Sequence, residues 1–169
     1  MNIPQLRAAN IQVYGDIGYR NDKCPLEDAE LITFMNWLDR EYPQFPALHV
    51  KNEKKRQGKG FAELAAERKK RSIVKGWPDV TVAGFPTLFI EMKRTDHTLC
   101  ALEDGQLPFL QKAADADCWA VVALGYVGAQ AAFMDWLKEN YPNMVKKTCN
   151  QKEAQVISIT STRHTKPKT

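Results

Sequence analysis

The sequence has no long apolar run. Nothing in its 169 residues approaches the roughly 20 consecutive apolar residues that cross a bilayer, and the N-terminus lacks the apolar core of a secretory signal. No membrane partner is expected, and the expected location is the cytoplasm. Cysteine is scarce and scattered: Cys24, Cys100, Cys118 and Cys149 form no Cys-x-x-Cys pair. That spacing argues against a thiolate zinc site and against a disulfide framework. The three histidines, His49, His97 and His164, are isolated, so no histidine-rich ligand cage is expected either. What remains is an ordinary globular composition, 44% apolar and 26% charged, long enough for one domain with a real core. The single domain is read over residues 1–160. The polar tail STRHTKPKT, residues 161–169, has too little apolar content to be ordered by packing.

The net charge of +4 hides an asymmetry. Residues 51–75 hold ten Lys or Arg against three Glu, a surplus of seven, so the rest of the chain sums to −3. Such concentration predicts contact with a polyanion. The first part of this segment, NEKKRQGKG, has the composition of a basic loop. A helix follows over residues 61–71, with ERKKR at its C-terminal end. Cations there also complement the helix dipole; taken with the basic loop before them, they read as a phosphate-contacting face.

Residues 76–93, GWPDVTVAGFPTLFIEMK, organise the chain. Two runs with strand character, 79–82 and 87–93, flank an Ala-Gly-Phe-Pro break, the pattern of a hairpin. Alternation along the second run puts Leu88, Ile90 and Met92 on one face, and Glu91 and Lys93 together on the other. Folding the hairpin back brings Asp79 within about one residue of Glu91 across strands spaced roughly 5 Å apart. Acids and bases also alternate on ordinary solvated strands, so this pattern alone leaves both readings open.

Elsewhere, residues 1–24 show little periodicity, with at most a short strand at 11–14. Ala29, Ile32, Phe34, Met35 and Leu38 fall at helical spacing, predicting a helix over 25–41 that ends before Pro43. Its early acids, Glu27 and Glu30, suit a helix N-terminus. A short strand is expected within 45–50. Another helix should begin near residue 103 or 104, since Pro108 belongs in a first turn; Gln106 then sits near its start. The apolar run WAVVAL, residues 119–124, predicts an interior strand covered on both faces. Gly125 and Gly128 lead into a helix over 129–140, and an edge strand is expected at 155–159.

Asp79 followed after a hairpin by Glu91-x-Lys93 resembles the PD-(D/E)xK nucleases, with Pro78-Asp79 as the first motif. Gly76-x-Pro78-Asp79, then Phe89-Ile90-Glu91-Met92-Lys93-Arg94, then Gln106 on the next helix, narrow this to a resemblance to the VRR-NUC family, virus-type replication-repair nucleases, over residues 27–137. The resemblance implies an α/β fold with a mixed sheet of about four strands flanked by helices. It also implies metal-dependent cleavage of DNA. Asp79, Glu91, the Met92 carbonyl and an acid from the first helix, Glu27 or in reserve Glu30, would hold Mg²⁺ or Mn²⁺. Lys93 would orient or deprotonate the attacking water, and Gln106 would position Lys93 or a water. Lys51, Asn52, Lys54, Lys55, Arg56, Lys59, Lys69, Lys70, Arg71 and Lys75 would contact DNA. A small free-standing protein of this kind looks like a phage-encoded enzyme for branched DNA. Paired cuts at a four-way (Holliday) junction would call for a homodimer, with apolar residues around Phe133, Trp136 and Tyr141 as candidate interface unless they serve the protein's own core. A non-catalytic nucleic-acid-binding protein and an exonuclease or restriction-type enzyme are the alternatives.

Overall fold

The computed structural model describes residues 1–50 and 76–144. Along them run α1 (Ile3–Ala8), β1 (Gln12–Tyr14), α2 (Glu27–Glu41), β2 (Ala47–His49), β3 (Val80–Val82), β4 (Leu88–Lys93), α3 (Gln106–Asp115), β5 (Trp119–Leu124) and α4 (Gly125–Asn140), with a 3₁₀ turn at His97–Leu99. The fold is α/β. Five strands form one mixed sheet in the order β1-β5-β4-β3-β2, one more than the expected four. β3 runs antiparallel to β2 and β4, whereas β5 runs parallel to both β4 and β1.

The hairpin forms as its alternation predicts, and β4 and β5 fill the middle of the sheet. Every residue of β4 is buried, as are the last five of β5, which is why β5 reads as an uninterrupted apolar run. Phe89 and Val122 face Leu6 of α1 and Leu110 and Ala113 of α3 in one apolar cluster. By alternation Glu91 and Lys93 share the Phe89 side of β4. A second cluster is aromatic: Trp37 of α2 meets Phe34, Tyr42 and Phe133 at centroid separations of 5.8, 5.3 and 5.7 Å. Phe133 is thus a core residue and not a surface for a partner.

Three expectations need correction. The first 24 residues contain α1, a helix too short to show periodicity. Its signals are local: the Asn2 side chain accepts from the Gln5 N–H at 3.2 Å and Pro4 occupies the first turn, both start signals. α3 begins at Gln106, after Gly105 in the left-handed region (φ 98°), and not at 103 or 104. α4 begins directly after β5 at Gly125 and not near 129. Gly128 is inside it, where an added Cβ would lie 2.7 Å from the Tyr14 carbonyl oxygen; this glycine permits close approach of helix and strand and does not mark a loop.

The chain divides into two compact units, Met1–Phe133 and Met134–Thr169, with the boundary inside α4. In the second unit Trp136 is buried and its ring lies 5.1 Å from that of half-exposed Tyr141. The helix read at 61–71 and the strand read at 155–159 fall outside the described residues. Among the described residues no helix is long and apolar enough to cross a membrane.

Candidate active site

The β3–β4 register sets the site. Val80 pairs with Ile90, and continuing the ladder by one residue sets Asp79 opposite Glu91. Asp79 lies just before the start of β3, which frees its carboxylate to turn inward. Its Oδ2 accepts from the Met92 N–H at 2.9 Å. Two residues beyond Glu91, the Lys93 ammonium lies 2.6 Å from Glu91 Oε1 and 3.8 Å from Glu27 Oε1. Gln106, the first residue of α3, donates from Nε2 to the same Glu91 Oε1 at 2.5 Å and accepts the Glu103 N–H at 2.6 Å. Gln106 therefore holds Glu91 through the same oxygen that meets Lys93. Gly76, at φ 78°, runs so close to Gly105 and the Gln106 nitrogen that a Cβ would collide with their backbone, which pins the start of α3 beside the hairpin.

The structure also separates the two acids of α2. Glu27 faces Lys93. Glu30 turns away and braces the fold instead. Its Oε1 accepts from Thr95 Oγ1 at 2.9 Å and its Oε2 from the Tyr126 N–H at 2.8 Å, tying α2 to the start of α4. Arg94, next to the motif lysine, donates to the carbonyls of Cys24 at 2.7 Å and Pro25 at 3.3 Å and so holds the chain entering α2, where Glu27 begins. Asp96 fastens the loop before it, accepting from Asn21 N–H at 2.9 Å and from Thr98 Oγ1 at 2.6 Å. The Thr98 hydroxyl, followed by the Thr98 and Asn21 amides, draws its carboxyl down to about 2.

Three carboxylates share one ammonium. Burial, then Asp79 beside it, pushes the Glu91 carboxyl well above the usual range; burial likewise raises Asp79 and Glu27. Burial pulls the Lys93 ammonium down, but Glu91, Glu27 and Asp79 together more than offset this, and its pKa ends above the ordinary lysine value. Glu91 is fully buried, and with both carboxyls ionised its Oε2 meets no donor, only the neighbouring Asp79 carboxyl, with which it can share a proton. A buried acidic atom without a donor, in a cluster whose protons are retained for want of positive charge, fits a hard divalent cation with oxygen ligands. Among the described residues no group of three or more His, Cys, Asp or Glu side chains is drawn into a cage, so a cation here would rest on Asp79 and Glu91 with backbone oxygen and water.

These shifts carry a sign for stability. An acid whose pKa is raised by folding binds more protons folded than unfolded between its two values, so stability falls as pH rises through that window. The metal-free protein should therefore lose thermal stability as pH rises above about 4, the unfolded carboxylate value. Mn²⁺ should restore more of it at neutral pH than at acid pH. Thermal denaturation across pH with and without Mn²⁺ checks this; a midpoint that rises with pH through this window in metal-free protein would contradict it.

Lys51, Asn52, Lys54, Lys55, Arg56, Lys59, Lys69, Lys70, Arg71 and Lys75 lie outside the described residues. Two neighbours of the site were not anticipated. Glu103 sits close enough to Glu27 to raise its pKa slightly. His49 reaches the Asp79 backbone oxygen with Nδ1 at 2.9 Å. Neither carries a sequence signal, since each depends on contacts across the fold. None of the family models, curated proteins or solved structures compared with this chain matches it.

Proposed function

We propose that the protein is a metal-dependent, structure-selective DNA endonuclease of the PD-(D/E)xK type, resembling the VRR-NUC proteins in its motif residues. One observation carries this reading: Asp79 and Glu91 meet at the end of the hairpin with Lys93 against Glu91 at 2.6 Å, while Glu91 Oε2 is left buried with no donor. Asp79 and Glu91, with the Met92 carbonyl and water, would hold Mg²⁺ or Mn²⁺, which supplies charge to the scissile phosphate and makes water nucleophilic near neutral pH; Glu27, expected as a further ligand, faces Lys93 instead. The protein's own groups do the rest. Gln106 fixes Glu91 in place. Lys93, whose ammonium lies against Glu91 and Glu27, would orient or deprotonate the attacking water and stabilise charge building on the phosphate.

The substrate reading rests on the basic segment and on symmetry. Among the described residues the chain offers one such cluster, whereas resolving a four-way junction takes paired cuts on two strands related by near two-fold symmetry, which a closed homodimer supplies. Cleavage of DNA in Mg²⁺, Mn²⁺ and chelator tests the activity, and light scattering tests the dimer. Neutralising Lys54, Lys55 and Arg56 together should weaken DNA binding and flatten its salt dependence by about one unit per lost phosphate contact. Titrations across salt read this slope; an unchanged slope would show that the segment does not meet DNA.

A further inference from the structure

From the contacts of His49 we infer that it is a positioning residue for Asp79. A carbonyl oxygen only accepts, so the 2.9 Å contact between His49 Nδ1 and the Asp79 oxygen places the ring proton on Nδ1. The same oxygen accepts the Val50 N–H at 3.0 Å. Two donors from the end of β2 therefore converge on the backbone of Asp79, one residue before the sheet ladder starts at Val80. Asp79 stands outside β3 and has no ladder partner of its own on this side beyond these two bonds. Its carboxylate must nevertheless be held across from Glu91, where Oδ2 takes the Met92 N–H. His49 is itself exposed, so its ring adds little to the core, and its contribution lies in this bond. The consequence for cleavage rests on the nuclease reading; the effect on Asp79 does not.

The test uses the full-length, metal-free protein and reads amide hydrogen exchange by NMR in wild type, His49→Ala, His49→Asn and His49→Gln. The Asn amide nitrogen occupies the place of Nδ1, and the Gln amide nitrogen that of Nε2. The Met92 amide reports on the Asp79 carboxylate. His49→Ala and His49→Gln should exchange Met92 roughly tenfold faster, the size of one lost hydrogen bond, and His49→Asn should return it to the wild-type rate. Amides of β5 should not change. In cleavage with Mg²⁺, the Ala and Gln variants should lower kcat with KM unchanged, and Asn should restore it. Equal Met92 rates in all four proteins, rescue by Gln in place of Asn, or a uniform acceleration of every amide would overturn the inference. A wild-type protein that cuts no DNA would instead overturn the nuclease reading, while the exchange rates still decide the role of His49.

Discussion

Glu91→Gln is expected to reduce DNA cleavage by about a thousandfold or more, the factor that corresponds to several kcal/mol of lost metal-derived stabilisation, with DNA binding and fold retained. The substitution is chosen for what it leaves in place. A Gln at this position still offers Oε1 to Lys93 and Gln106, the two groups that lie 2.6 and 2.5 Å from it. It removes only the charge that a cation would use. Glu91→Ala would be a harsher change, because deleting one partner of a buried pair leaves the ammonium poorly compensated at a cost of about 3–5 kcal/mol. Single-turnover cleavage and a binding titration on the Gln variant separate the two effects. Wild-type cleavage by Glu91→Gln would remove Glu91 from the chemistry.

Lys93→Met should be nearly as damaging, with cleavage down by about a hundredfold to a thousandfold, as for loss of one preorganised donor to a transition state. The Met side chain has similar length and no charge, so the buried stem space stays filled. Its effect on folding should differ from that of the Glu91 change. Without the ammonium, the acids at Glu91, Glu27 and Asp79 lose the charge that opposes their elevation, and they should retain protons to still higher pH. A wild-type rate without a rising limb near the lysine range would fit Lys93 acting as a fixed charge. A rate that climbs with deprotonation of Lys93 would assign it the role of base.

Much of this arrangement was legible because it is local. The hairpin is written in alternation and in the Gly-Phe-Pro break, and counting back across the loop from Glu91 gives Asp79. β5 announces itself by its unbroken apolar run, and α2 by its spacing. Other parts depend on contacts that no window contains. β1 joins β5 by pairing Gln12 with Val121, residues too far apart for any local pattern to link, and this is why the sheet has a fifth strand. Glu27 and Glu30 occupy the same first turns of one helix and look interchangeable in sequence. Only Thr95 and the start of α4, brought beside Glu30 by the fold, take it out of the site. The surroundings of Lys93 are likewise set by three acids gathered from α2, the residue before β3, and β4. The likeness to VRR-NUC proteins was read from motif residues, and the role it implies is a matter for assay.

Cleavage of DNA by a cation held at Asp79 and Glu91 can be decided in one experiment. The full-length protein is incubated with matched four-way, flap and linear DNA in Mg²⁺, in Mn²⁺ and in chelator. Cutting is expected in either metal, faster on branched than on linear DNA, and none in chelator. Undiminished cutting in chelator would contradict the metal chemistry, and tight binding of DNA without cutting in any metal would make the protein a binding module.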